Sequence, residues 1–328
     1  MGKRLTRLQS KAVLRYDSPR LLPLEYDGPG LNPVIGKGEF TTLKLAACDY
    51  TFPKLQWEQS LRMARELGVE AVDLGLFAGR SHLDIHGVFE DLPRAARRVT
   101  EALNSHGLRI ADTFGQPGRV FEELAVNHPE TSVRQADAEF FYRLLEFALR
   151  CNGGHLSLLP GVHFPTESAE VSLRRSAEEL AWRVEAAAKV GVTLSVEPHL
   201  GSIIPTPLAA AHLLDLTPGL TLTLVYGHFT YQGIPDSAVE PLLARTSHFH
   251  ARGACPGKLQ ATMKENSIDF DGVLRAMRKV KYSGFVVLEY VWTEWMDLNR
   301  VDNLSETIIL RDLLRALEAA SLASIQKV

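Results

Sequence analysis

Few marks of a specialised environment appear in this 328-residue chain. It has three cysteines, Cys48, Cys151 and Cys255, widely spaced along the sequence. With no close pair, they signal neither a disulfide framework nor a thiolate zinc site. A basic excess is also missing: 36 Lys and Arg stand against 39 Asp and Glu, a net charge of -3. Nonspecific nucleic-acid binders draw their affinity from such an excess, so that class is disfavoured. No apolar run approaches the length of a membrane span. The start, MGKRLTRLQSKAVLRYDSPRLLPLEY, is basic but holds no apolar core ahead of a small-residue cleavage site, so a secretory signal is not expected. The expected setting is cytoplasmic, with no nucleic-acid and no membrane partner. The first turn after a strand, CDYTFPKLQW, lacks GxGxxG, which counts against a dinucleotide-binding doubly wound sheet.

What is present is the composition of a folded soluble protein, 45% hydrophobic and 23% charged. Residues 1–41 carry Pro19, Pro23, Pro29 and Pro33 among Gly28, Gly30, Gly36 and Gly38. That mixture disfavours helix interiors and central strands. The segment reads as an N-terminal arm, either a loose tail or a strap over the barrel or a neighbouring subunit.

From residue 42 a cadence begins. Eight short apolar runs lie at 43–50, 69–77, 108–115, 154–161, 192–199, 220–228, 246–254 and 284–292. The first five are apolar on both faces, as parallel strands covered by helices are. Amphipathic segments separate them, among them 57–68, 92–107, 138–153 and 176–191. Gly68, Gly107, Gly153 and Gly191 each close a helix just ahead of a strand. Eight such units predict an α/β fold, a (β/α)8 TIM barrel over 42–328 with the arm 1–41 as its extension. Two long connections, 79–91 and 114–137, follow strands and so fall on the catalytic face, where they predict a lid or substrate wall. Asn303 and Glu306 have capping-box spacing at the start of the last helix.

Polar side chains at strand C-termini are the informative ones in a barrel, because its interior is otherwise packed. Glu197 and His199 end the fifth run and His228 the sixth. His248, His250 and Arg252 lie on the seventh, and Glu289 is on the eighth. Asp49, Asp73, Asp112 and His155 are read in similar places on the first four. His248, His250 and Arg252 alternate and therefore share one face. Glu197, His250 and Glu289 are expected to converge across the barrel mouth. Two carboxylates and an imidazole suit a divalent ion, Mn²⁺ or Mg²⁺ first. His199 and His228 can carry a proton near neutral pH or hold a substrate hydroxyl. Trp292, Trp295 and Phe114 are expected as walls for the C–H face of a sugar. Gly257 and Lys258 hint at a phosphate contact, without a second glycine-rich turn to complete it. The bland alternative is a structural network of carboxylates, histidines and arginines.

Four motifs in order now stand out: VEPH around Glu197, LVYGHF around His228, HFHARGA around His250 and VVLEYVW around Glu289. Over about residues 43–320 the chain resembles the xylose-isomerase-like barrel superfamily, in particular its sugar phosphate isomerase/epimerase group. The resemblance implies a divalent ion held by Glu, Asp, His and Glu on strands five to eight. Glu197, His250 and Glu289 match three of these, and the aspartate's place, three residues before His228, holds Val225. It also implies Glu197 and Glu289 as opposed bases that remove and return a proton alpha to a carbonyl, with His228 and Arg252 on substrate oxygens. The full set of expected catalytic groups is Glu197, Glu289 and His199, and of expected substrate contacts His228, Arg252, His155, Asp112 and Trp292. The function expected is a metal-dependent isomerase or epimerase of a ketose or related carbohydrate, assembled as a homo-oligomer. Related activities in the superfamily leave open a lyase for 3-oxo-glycosides with a small β-rich partner subunit, an inosose-type dehydratase and a non-catalytic sugar-binding relative. The superfamily's DNA-repair endonucleases use more histidine ligands than ADTFG on the third strand offers.

Overall fold

The computed structural model describes residues 12–14, 24–26 and 42–325. Eight parallel strands form a closed barrel. They are β1 (Leu45–Cys48), β2 (Ala71–Phe77), β3 (Arg109–Gln116), β4 (His155–Leu158), β5 (Thr193–Val196), β6 (Thr221–Val225), β7 (Thr246–Ala251) and β8 (Val286–Leu288). β8 pairs with both β7 and β1 and so completes the ring. The predicted (β/α)8 architecture is the one found. Of the N-terminal arm, a short antiparallel ladder between Ala12–Leu14 and Leu24–Tyr26 is described; the rest of the arm lies outside the described residues.

Helices alternate with the strands: α1 (Trp57–Glu66), α2 (Ile85–Glu90), α3 (Leu92–Ser105), α4 (Thr131–Arg150) and α5 (Ala169–Lys189) come first. α6 (Pro207–Leu216), α7 (Tyr226–Tyr231), α8 (Asp236–Val239), α9 (Phe270–Lys279) and α10 (Asn303–Ile325) follow. Their starts are set locally. Gln56 and Gln59 form a reciprocal capping box at α1, and the side chains of Asp91, Ser168 and Asp269 cap α3, α5 and α9. At α10 the cap is Asp302, whose carboxylate accepts from the Leu304 and Ser305 amides. Asn303, expected there, instead donates to the Thr51 carbonyl, and Glu306 accepts from the Met263 amide. Among the described residues no helix is long and apolar enough to cross a membrane.

The recurring glycines do two different jobs. Gly68, Gly107 and Gly191 have φ of 71°, 63° and 77°, the left-handed turn that ends a helix. Gly153 does not. Its neighbour Asn152 takes the left-handed position at φ 61°. Gly153 is needed for space, since a Cβ there would lie 3.2 Å from the Ala148 carbonyl oxygen.

Strands end earlier than their apolar runs. The last β6–β7 register pair is Val225 with His250, after which the chain turns into α7. His228 is therefore on a short helix and not at a strand end. Glu197 and Glu289 follow immediately after β5 and β8, their amides still donating to the Leu158 and Ala251 carbonyls of the neighbouring strands, and both line the cavity at the barrel mouth. The layer between strands and helices is apolar, with Leu74, Leu144, Leu180, Leu222 and Leu288 fully buried. The barrel's interior is partly polar. Ser157, Ser195 and Thr223 close a triangle of hydroxyls at 2.9, 2.6 and 2.6 Å, each able to donate to the next, so none of these three oxygens is left unpaired.

Candidate active site

A cavity of about 740 Å³ opens at the C-terminal ends of the strands. Glu197, His228, Arg252 and Glu289 form its floor, and Phe114, Trp292 and Trp295 belong to its walls. Both long connections contribute, through Arg80 from the first and through Arg119 to Glu122 from the second. Phe121 lies over His199 with ring centroids 4.5 Å apart, and Trp295 meets Phe121 edge-on at 5.7 Å. Lys54 places its ammonium 4.5 Å above the Trp292 ring. The loop expected to be a wall is one.

The floor is built around His250. Its Nδ1 lies 3.1 Å from Glu289 Oε1 and 3.7 Å from Glu197 Oε2. On its other side, His250 Nε2 donates to Asp73 Oδ2 at 2.9 Å, and the same oxygen accepts from His248 Nε2 at 2.8 Å. Asp73 is wholly buried on β2. Burial alone would raise its pKa, but the two imidazoles more than offset this and hold it below the usual carboxylate range. With its proton committed to Asp73, His250 turns Nδ1 toward both glutamates. Burial works against a charge on His250, yet Glu289, Asp73 and Glu197 together push its pKa well up.

The neighbouring imidazoles have defined tautomers. The Leu200 amide donates to His228 Nδ1 at 3.2 Å, so the neutral ring carries its proton on Nε2, 3.4 Å from Glu197 Oε1. Burial is the main force lowering the His228 pKa. His199 donates from Nδ1 to the Leu200 carbonyl at 2.7 Å, which leaves its Nε2 without a partner. Burial brings its pKa down to about 4, so it is a neutral base at the cavity edge. Glu197 would be raised by burial, but His228 and His250 hold it ionised, below the ordinary carboxylate range. Arg252 donates from Nη1 to Glu289 Oε2 at 2.8 Å.

Two groups among the described residues bring three potential ligand atoms within 4.8 Å of one another: Cys48, His250 and Glu289, and Asp73, His248 and His250. A candidate metal-binding cluster is therefore present. In the second group the 2.8 and 2.9 Å separations are hydrogen bonds, and the group acts as a holder for His250. Around the expected trio, Glu197 Oε2 and His250 Nδ1 are both buried with no hydrogen-bond partner, and they face each other. Glu197, His250 and Glu289 together are not one of the two close groups, though carboxylate, imidazole and carboxylate around such orphaned atoms are donors that a divalent cation takes. Cys48, at the end of β1, borders the same point. Sequence reading gave it no role, and burial keeps its thiol protonated by raising its pKa well above the ordinary value.

Other expected residues fall elsewhere. His155 is the first residue of β4, at the far end from the cavity. Its Nδ1 is 2.6 Å from Asp112 and its Nε2 2.7 Å from the Ser247 hydroxyl. Neither His155 nor Asp112 is among the residues lining the cavity, so the substrate contact expected of them is corrected: both belong to the barrel's internal network. Asp49 accepts from Trp57 Nε1 and the Gly75 amide, each at 3.0 Å, and is likewise internal. Lys258 is paired with Glu265 at 2.5 Å on an exposed loop. Trp292 is where it was expected, in the cavity wall.

The family model for the xylose isomerase-like TIM barrel matches residues 61–316. Among solved structures, the fold is similar to the 3-keto-D-glucoside 4-epimerase of E. coli, with TM-score 0.63 and 16% identity over 84% of this chain and 100% of that one. It is similar to the D-psicose 3-epimerase of Clostridium cellulolyticum H10, with TM-score 0.68 and 13% identity over 84% and 99% of the two chains. A probable 3-DHS dehydratase from Bacillus anthracis is similar with TM-score 0.61 and 14% identity over 82% and 98%. No curated protein sequence matches significantly.

Proposed function

The chain belongs to the xylose isomerase-like TIM barrel family, and from that premise we propose an isomerase or epimerase that moves a proton alpha to the carbonyl of a ketose or related carbohydrate. One observation carries the reading. Two buried glutamates, Glu197 and Glu289, flank His250 Nδ1 at 3.7 and 3.1 Å on the floor of a cavity large enough for a sugar. They come from β5 and β8, with β6 and β7 between them, so a substrate seated above His250 meets a carboxylate on each side.

Glu197 is held ionised and is suited to take the proton. Glu289 stands opposite to return it. The His228 Nε2–H and the Arg252 guanidinium offer donors to substrate oxygens. His199 adds a neutral base at the edge, while Trp292 offers an apolar face to the sugar. Glu197, His250 and Glu289 would hold a divalent ion such as Mn²⁺ or Mg²⁺, which would supply Lewis acidity toward the carbonyl oxygen. Similar structures named as ketose and keto-glucoside epimerases support the reading.

The test is deuterium exchange. The protein is incubated in D2O with Mn²⁺ and a panel of ketoses, inososes and 3-oxo-glucosides, and NMR follows loss of the alpha C–H signal. The expected result is exchange with epimer formation for one substrate class, nearly abolished in Glu289→Gln, because Gln keeps the shape but is no base. A Glu289→Gln variant with full activity would overturn the two-base mechanism. Exchange accompanied by elimination products would replace the epimerase with a lyase or dehydratase.

A further inference from the structure

We propose that Arg252 is a built-in cation of the glutamate pair, competing with the divalent ion for Glu289, so that the site loads an ion only by displacing its own guanidinium. The inference rests on the reading above that Glu197, His250 and Glu289 form the ion's ligand set.

Arg252 is 4% exposed, and its partner Glu289 is 5% exposed. Its Nη1 donates to Glu289 Oε2 at 2.8 Å, while the other oxygen of the same carboxylate faces His250 Nδ1. The guanidinium's Nη2 reaches to 3.3 Å from His228 Nε2, which itself lies 3.4 Å from Glu197 Oε1. Arg252 thus extends from one glutamate to the edge of the other. A carboxylate committed to a guanidinium on one oxygen is a poorer ligand, and a positive charge beside the site repels an entering dication.

Charge balance makes the same point. Four-ligand relatives would offer three carboxylates, but here Val225, fully buried and in register with His250, stands in place of one of them. Two carboxylates and one guanidinium leave one net negative charge, as three carboxylates and one divalent ion would.

Arg252 is also under-satisfied, which separates a displaceable cation from a structural one. Guanidiniums that lock a fold usually bind a carboxylate through two nitrogens. Arg252 uses one on Glu289, its Nη2 reaches a ring nitrogen of His228 at 3.3 Å, and its Nε is buried without a partner. Released from Glu289, these donors are free for substrate oxygens.

The experiment is Mn²⁺ binding by calorimetry to the chelator-stripped full chain, in the wild type and in Arg252→Met, Arg252→Gln and Arg252→Lys. The expected result is Mn²⁺ binding at least tenfold tighter in Arg252→Met and Arg252→Gln than in the wild type, with Arg252→Lys near the wild type. Circular dichroism checks folding, and either neutral variant alone suffices if the other fails to fold. Equal or weaker binding by the folded neutral variants overturns the competition. If the wild type binds well and the variants do not improve, the ligand set stands and only the role of Arg252 falls. If neither the wild type nor the neutral variants bind at millimolar Mn²⁺, both the ligand set and the competition are refuted.

Discussion

Asp73→Asn isolates what the buried charge beneath His250 contributes. Asp73 Oδ2 receives both His248 Nε2 and His250 Nε2, at 2.8 and 2.9 Å, while Oδ1 has no partner. An asparagine in the same rotamer keeps an oxygen to accept both N–H groups and places its NH2 where Oδ1 now stands alone. Geometry is retained and the charge is removed. An imidazole whose far N–H faces a carboxylate is a more basic ligand than one facing an amide, and such outer partners change metal affinity by about 10–100-fold, or about 1.4–2.7 kcal/mol. Two charge-assisted hydrogen bonds become neutral ones, and a buried NH2 is left unpaired, at about 1–3 kcal/mol for each such loss. Against a native stability of about 5–15 kcal/mol, the variant should still fold, with a lower melting temperature. Calorimetric titration of Mn²⁺ into the stripped protein is the assay. The expected outcome is a 10–100-fold weaker affinity, with a folded circular dichroism spectrum. Wild-type affinity in a folded Asp73→Asn protein would refute the claim that Asp73 sets the basicity of His250.

Arg183→Met should be among the most destabilising single changes away from the site. Arg183 is fully buried, pairs with Asp137 at 2.6 Å and Glu179 at 2.8 Å, and stacks 4.1 Å from the Trp182 ring. Removing it strands the buried Asp137 carboxylate, while Glu179 keeps Arg134 and the Trp182 indole at 2.9 Å each, so a loss of about 3–5 kcal/mol is expected in urea denaturation; a loss under about 1 kcal/mol would mean that the pair is solvated. Asp49 supplies the pH dependence. Burial pushes its pKa from 3.8 up to about 7, so the folded chain holds a proton that the unfolded chain releases over that range. This contribution to stability is therefore present at low pH and declines as pH rises from about 4 to about 7. Denaturation midpoints across that window should show a downward slope that Asp49→Asn flattens; an identical slope in both proteins would contradict the assignment.

Much of this was legible in the sequence for reasons that can be named. The barrel showed because most apolar runs are followed by a helix that a left-handed residue closes, and Asn152 and Lys281 could stand in for glycine without breaking the cadence. Glu197, His250 and Glu289 were readable because alternation along β7 puts His250 and Arg252 on one face, and because parallel strands deliver all their C-terminal ends to one mouth. The partnership of Asp73 with His248 and His250 spans 175 and 177 residues, and nothing local signals it.

His155 shows where residue type alone misleads. It opens β4, whereas Glu197 follows the end of β5, yet both are polar residues bordering an apolar run. In a parallel barrel these two borders are opposite faces of the molecule. At the lower one, His155 is bound between Asp112 and Ser247, and Ser247 is also 2.6 Å from the Thr221 hydroxyl. Most polar groups there find partners within the barrel, Asp112 Oδ2 and Thr113 Oγ1 excepted, and no cavity is needed to explain them. At the upper border the satisfaction is incomplete: Glu197 Oε2, His199 Nε2, His250 Nδ1 and Arg252 Nε are all buried without partners. Leaving one buried polar group unpaired costs about 1–3 kcal/mol, so four together beside one cavity favour a ligand or water bound there. That asymmetry between the two ends, and not the count of histidines or carboxylates, marks which end does chemistry.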